Sequence, residues 1–474
     1  MDSRFFVFSP SPSLSALMVS NPIYLPELRE MLADNNIEEM QEFCTAIHPV
    51  RVAEFMEGLK PNEIWTILQS TDLENRVEIF NYLDEETQAD IIEAAPREEI
   101  AHFIAHLPSD DRVDALQAVE GQVVGELLSL LHVEDRRDIQ RLTAFPEDSC
   151  GSEMTTDFVR LHENMTVSEA LDEISRQTAV IETVYYLYVV DENDHLVGLV
   201  SAKQLLKNIS RPEILIKTLM KRDLITVDAM ESRENAAREV ARYDFLAIPV
   251  VDEERHMLGI ITHDDIIDVL EEETTEDVYR MAAIAPMEEK YLEAPFWTIW
   301  KSRVVWLSLL CIAGLGTFSA LAYFEDEIRE LYVLTLFVPL ILSVGGNSGS
   351  QSATLITRAM ALGGVKISDF FRIFRHELLM GLALGLSLGF IGFFRALSTP
   401  GSLLDGVSRL QFSLTICFAV AASCLTGTLV GALLPLLFKR LGIDPGVASG
   451  PFVATFVDVV GIVMFFTIAK ILIL

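Results

Sequence analysis

Cysteine is scarce in this chain. There are five, Cys44, Cys150, Cys311, Cys417 and Cys424, with no CxxC spacing, and three of them fall in apolar segments. That pattern indicates neither a zinc site nor a disulfide framework, and it fits a reducing compartment for the soluble part. Basic residues are also scarce over the first 290 positions, where 24 Lys+Arg face 60 Asp+Glu. Charge of that sign excludes a nucleic-acid role and repels anionic lipid headgroups. It suits a region that binds cations, although a merely soluble acidic surface has the same composition. Catalytic signatures are missing too: there is no paired nucleophile and base, no P-loop and no dinucleotide fingerprint, so an enzyme is not expected. The first residues, MDSRFFVFSPSPSLSALMVS, hold no convincing apolar core or cleavage site. We expect a disordered leader over residues 1–22 rather than a signal peptide.

What the chain does have is a series of long apolar segments from Trp297 onward, in a region whose charge nearly balances at 12 Lys+Arg against 10 Asp+Glu from residue 291. Five spans are expected near residues 300–324, 331–357, 376–397, 410–437 and 447–474, each long enough for the roughly 30 Å of a bilayer core. The second contains GGNSGSQ, so its far end is expected to be re-entrant or unwound. The loop after the first span, EDEIRE, is acidic, whereas Lys301, Arg303, Arg358, Lys366, Arg372, Arg375, Lys439 and Arg440 flank the opposite ends. This asymmetry predicts a cytoplasmic N-terminal region and, with five spans, a C-terminus outside. Gly381, Gly385 and Gly389 recur every fourth residue, a helix-packing signal. The last segment holds one carboxylate, Asp458. An ionised carboxylate at that depth costs a few kcal/mol, roughly 3 on insertion scales, so it reads as part of a cation path. A capped structural Asp near a helix kink is the alternative.

Residues 23–147 alternate short amphipathic runs with Pro- or Asp-led starts (PNEIWTIL, ENRVEIFNYL, PREEIAHFIAHL, PSDDRVDALQAV, EDRRDIQRL), which predicts an all-α stack of short helices. His102 and His106, four apart, offer a metal pair or simple surface decoration. Residues 148–270 carry a duplication. MTTDFVRLHENMTVSEALDEI is echoed by MKRDLITVDAMESRENAAREV, and LYVVDENDHLVGLVSAKQLL by IPVVDEERHMLGIITHDDII. Each copy reads strand, helix, strand, turn, strand, helix. The pattern resembles a tandem pair of CBS domains, α/β modules that commonly bind adenosine nucleotides. In that family a Ser/Thr followed three residues later by Asp contacts the ribose. The second copy has Thr262 and Asp265, and the first departs with Ser201 and Gln204, so the resemblance implies at most one ATP site.

A connecting helix over residues 265–290 leads from this module to the membrane region 291–474. It is crowded with carboxylates: Asp264, Asp265, Asp268, Glu271, Glu272, Glu273, Glu276 and Asp277. Like charges at i,i+4 repel, and hard oxygen ligands suit Mg²⁺ or Ca²⁺, so the run reads as a divalent-cation sensor, with a solvated face as the alternative.

The order of parts, together with PLILSVGGNSGSQ (339–351) and DPGVASGPFVATFVD (444–458), resembles the MgtE family of magnesium channels over nearly the whole chain. The resemblance implies a homodimer in the membrane, with lipids around it and a pore at the subunit interface. Asp458 would be the pore carboxylate, with the Ala454 carbonyl and the Asn347 side chain completing the lining. It also implies a plug helix at about Asp265–Glu289 and regulatory Mg²⁺ on Asp265, Asp268, Glu271, Glu272, Glu273, Glu276, Asp277 and, on the helical domain, Asp110, Asp111 or Asp114. The expected function is a Mg²⁺-selective uptake channel closed by cytosolic Mg²⁺. A carrier coupled to Na⁺ or H⁺, or a CBS-regulated channel for another divalent cation, stands as the alternative. An anion channel is disfavoured, because Asp458 is expected to be the one ionisable group deep in the spans.

Overall fold

The computed structural model describes residues 24–177, 183–287, 291–292 and 294–473. The expected leader and the last residues of the expected connecting segment, 288–290, lie outside the described residues. The chain forms two units, Met1–Glu271 and Glu272–Leu474.

The first unit opens with short helices between Leu25 and Leu142, and their starts follow the sequence signals. Pro61 occupies the first turn of its helix, while Asp72 and Asp84 cap theirs by accepting the backbone N–H groups of Asn75 and Thr87. Such caps satisfy donors that a helix start leaves orphaned. The far ends are closed by arginines from the following helix. Arg76 donates to the carbonyls of Leu68, Gln69 and Thr71, and the buried Arg112 donates to those of Ile104, Ala105 and Leu107. These two helices are thereby tied to their predecessors, and one apolar core runs from Leu28 through the stack into the second repeat as far as Val269.

The duplicated region gives two matching three-stranded sheets: β1 (Phe158–His162), β2 (Thr183–Val190) and β3 (Leu196–Ser201), then β4 (Val227–Asp228), β5 (Ala247–Val251) and β6 (Met257–Thr262). In each, the first pair is parallel and the second antiparallel. The two sheets share a core of Phe158, Tyr188, Val190, Leu196, Ala247, Val251, Met257 and Ile260. From β6 the chain enters the connecting helix, His263–Met281. It stops well short of the expected end at residue 290, with Ala283 in the left-handed region at φ 58°.

Among the described residues of the second unit, five helices are long and apolar enough to cross a membrane: Phe296–Tyr323, Tyr332–Ala361, Ile367–Leu397, Arg409–Arg440 and Gly450–Leu472. The expected break in the second is absent. After a 3-10 turn at Tyr332–Phe337, the helix runs unbroken from Val338 to Ala361 through all of GGNSGSQ. Glycine weakens helices in water because the open backbone finds other partners; that competition fades in a bilayer, and small residues instead permit close helix contact. Cβ atoms on Gly427 and Gly431 of the fourth span would fall on the carbonyl oxygens of Gly345 and Gly349, and a Cβ on Gly349 would lie 2.7 Å from Val453 of the fifth. The Gly381–Gly385–Gly389 face of the third span packs likewise: a Cβ on Gly385 would lie 2.7 Å from the Ala421 carbonyl oxygen.

Candidate functional site

Two groups of predicted residues gather, one in each unit. In the first, Asp111 and Asp114 on the helix Ser109–Gln117 meet the start of the connecting helix. The link is electrostatic as well as spatial. Burial, then the negative charges of Asp265 and Asp264, push the Asp111 carboxyl up to about 7, against an opposing hydrogen bond from Asn81. Asp114 faces solvent, yet protein crowding around its carboxyl raises it to about 7, with Glu153, Asp111, Glu85 and Asp265 adding to the effect. Asp265 is raised to about 6 by burial, which the Thr262 hydrogen bond partly offsets, while Asp264 and Asp268 push upward again. Carboxyls that resist ionisation near neutral pH mark a place where a cation would be welcome. Asp110, on the same helix, is buried.

Thr262 and Asp265 do come together, but with each other. The Asp265 carboxylate accepts the Thr262 hydroxyl at 2.5 Å and its backbone N–H at 3.2 Å, capping the connecting helix. Ser201 and Gln204 form the equivalent box in the first repeat with a neutral amide. Further along the connecting helix, Glu271 and Glu272 face solvent, Glu273 and Asp277 are half-buried, and Glu276 pairs with Arg280. His102 and His106 are exposed, with rings 4.7 Å apart, and Nδ1 of His106 lies 2.8 Å from the His102 carbonyl oxygen, which is surface decoration.

In the second unit, Ala454 and Asp458 lie one turn apart on the fifth span and both are half-buried. They face the Gly pair of the second span: a Cβ on Gly346 would lie 3.4 Å from the Ala454 Cβ and 3.9 Å from the Asp458 carboxylate. Asn347 is next along, exposed, with its amide donating to Ser343 Oγ at 3.2 Å. Below it Ser350 donates to the Gly450 carbonyl at 3.1 Å, beside an open depression lined by Ser350, Gln351, Thr354 and Leu355. A polar stripe on the second span thus runs alongside the carboxylate of the fifth.

Family models match in the same order as these parts: the MgtE intracellular N domain over residues 47–148, the CBS domain over 150–211 and 216–272, and the MgtE divalent cation transporter over 338–468. The magnesium transporter MgtE of Thermus thermophilus is 35% identical over 448 residues, which cover 94% of this chain and 97% of the relative. This chain belongs to the MgtE family. The Enterococcus faecalis magnesium transporter MgtE is 31% identical, covering 94% of this chain and 96% of that one. A solved cytosolic domain of the Mg²⁺ channel MgtE in complex with ATP is 33% identical over 51% of this chain and 98% of its own, with a TM-score of 0.48.

Several MgtE features of this chain escape sequence reasoning. Asp458 is not the one carboxylate set among the packed spans. Glu377, in the third span, is buried and accepts the Ser352 hydroxyl of the second at 2.9 Å, with His376 Nδ1 3.4 Å from its other oxygen. It lies at the boundary where the expected third span begins, next to Arg375, and so reads as part of a polar flank. Asp444 opens the second membrane motif and pairs with Arg280, 164 residues away. Asp252, Glu254 and His256 come within 4.8 Å of one another at the β5–β6 turn, and the His256 ring stacks on His195 of the other repeat at 4.5 Å. The signal there was the DEND-H and DEER-H spacing, four residues from Asp to His in both repeats.

Proposed function

We propose that this chain forms a Mg²⁺-selective uptake channel, and not an enzyme, that cytosolic Mg²⁺ closes. The observation that carries the reading is the Ala454–Asp458 face of the fifth span set against Gly346, with Asn347 alongside. One chain supplies one carboxylate, half-buried, so a homodimer with the pore at its interface would present two. Mg²⁺ dehydrates reluctantly and keeps several waters, and two facing carboxylates hold such an ion through its water shell. Asn347 and the Ala454 carbonyl would hydrogen-bond those waters. The acidic loop after the first span, against Arg358, Lys366, Arg372, Arg375, Lys439 and Arg440 at the other ends, supports a cytoplasmic N-terminus and an outward C-terminus in the cell membrane.

Regulation follows from the carboxylates. With little Mg²⁺, Asp111, Asp114, Asp264 and Asp265 repel, and the connecting helix is loosely held. With Mg²⁺ among them it is fixed, and Asp268, Glu271, Glu272, Glu273, Glu276 and Asp277 offer further positions along it. The ion favours the closed arrangement because it binds that arrangement better. ATP at Thr262 and Asp265 would bias the same helix, because a ribose there competes with the cap that the two residues make.

Mg²⁺ flux into proteoliposomes tests the pore assignment: Asp458→Ala should abolish it, and unchanged flux would sink the reading. A carrier coupled to H⁺ is the second reading. What favours it is the buried Glu377 with Ser352 and His376, because intramembrane carboxylates recur in proton relays. Flux that continues without any H⁺ or Na⁺ gradient selects the channel.

A further inference from the structure

The connecting helix keeps its acidic run to Asp277 and then turns cationic at Arg280, one residue before its end at Met281. That guanidinium is shared between two anions. Nη2 donates to Glu276, one turn back on the same helix, and Nη1 donates to Asp444. Asp444 heads the 3-10 turn Pro445–Val447, which leads into the fifth span and its Asp458. The second oxygen of Asp444 accepts the Gly446 N–H at 2.7 Å, so both sides of this carboxylate are committed. The contact is steric as well. A Cβ on Gly446 would lie 3.1 Å from the Arg280 Cβ and 3.6 Å from its Cδ, so the backbone of the turn lies flat on the arginine stem. Side-chain exposures of 39% for Arg280, 27% for Glu276 and 33% for Asp444 make this a half-shielded bridge rather than a surface ion pair.

Without a positive charge between them, Glu276 and Asp444 would repel across this contact. A mobile divalent cation could fill the gap, but here a fixed one does. An arginine is always charged, and its planar fork can serve two carboxylates at once. The favourable end of the helix dipole explains a cation in the last turn, but not the bond to Asp444 or the glycine that lets the turn approach.

We propose that Arg280 is a built-in cation that latches the connecting helix to the turn ahead of the fifth span, and that it sets how much Mg²⁺ closes the channel. The proposal rests on the gating reading above. The latch does at every Mg²⁺ level what a bound ion does only at high levels, so it lowers the concentration at which closure wins. Arg280 touches no permeating ion in this scheme; it is a positioning residue that acts through Asp444.

The test uses the full-length protein in proteoliposomes, with Mg²⁺ influx read against graded internal Mg²⁺. Arg280→Gln should raise the half-inhibiting concentration about three- to tenfold while flux at zero internal Mg²⁺ is at least that of wild type. Arg280→Lys should lie between the two, and Arg280→Asp combined with Asp444→Arg should return toward the wild-type value. Should Arg280→Gln fail to insert, Asp444→Asn must move the threshold in the same direction. A wild type that responds to internal Mg²⁺, with Arg280→Gln unmoved or more sensitive, overturns the latch alone. A wild type indifferent to internal Mg²⁺ overturns the gating reading and the latch with it.

Discussion

Replacing Asp111 with Asn removes one charge from the Asp111–Asp114–Asp265 group and keeps the side chain's shape. A carboxyl raised from 3.8 to about 7 corresponds to an upper bound of about 4 kcal/mol for ionising it in the folded state. Partial exposure and the shared titration with Asp265 reduce the effective figure to about 2 kcal/mol. At pH 8 without Mg²⁺ the Asn variant should therefore unfold about 5 °C higher, given a few degrees per kcal/mol for a unit of this size. Mg²⁺ at ten times its dissociation constant adds about 1.4 kcal/mol to wild type through mass action, and the variant should gain less than half of that. The pH dependence has a definite sign. These carboxyls hold protons more tightly folded than unfolded, so without Mg²⁺ wild type gains stability as pH falls from 8 toward 5 and loses it as pH rises through about 7. Thermal unfolding of the full-length protein in detergent reads this with a thiol-reactive dye. A background with Cys311, Cys417 and Cys424 replaced by serine leaves the buried Cys44 and Cys150 as reporters of the first unit. Equal Mg²⁺ shifts and equal pH profiles in wild type and Asp111→Asn would refute the sensor assignment.

Three further outcomes are expected. Gly427→Ala should cost about 1–3 kcal/mol by forcing the second and fourth spans apart, seen as lost monodispersity in size-exclusion chromatography, whereas Gly314→Ala, whose added Cβ meets nothing within 4 Å, should be silent. Glu377→Gln, which can still hydrogen-bond Ser352, should keep its fold and its flux if the protein is a channel, while loss of H⁺-dependent flux alone would favour the carrier. Lys470→Ala breaks the pair between the exposed Lys470 and the largely shielded Glu327 and should lower the thermal unfolding temperature only slightly.

The spans and the duplicated sheets are legible in the sequence because their signals are local: long apolar runs, and an alternation that repeats. The short helices are legible for the same reason, through starts such as Pro61 and Asp72. The continuity of the second span through Gly345–Gln351 is not, because glycine's effect depends on the medium and on Gly427 and Gly431 opposite. The acidic run on the connecting helix stands out locally, and the family resemblance nominates Asp110, Asp111 or Asp114 for it; that Asp111 and Asp114 are the ones whose charges reach Asp265, about 150 residues on, is a product of the fold. Asp444 shows no sign of its role until the fold brings Arg280 to it. Glu377 hides at a span boundary, where a hydropathy window averages it with its basic neighbours.

The seam between the second and fourth spans has a mechanical consequence. Side chains can exchange rotamers and so let packed helices slide; two backbones in direct contact have no such slack. Where Gly345 and Gly349 rest on Gly427 and Gly431, the two helices form a single stiff frame. On the proposed gating, opening and closing would then come from elements attached to that frame by ordinary side-chain packing or by ion pairs, and the short turn at 444–447, paired with Arg280, is such a joint.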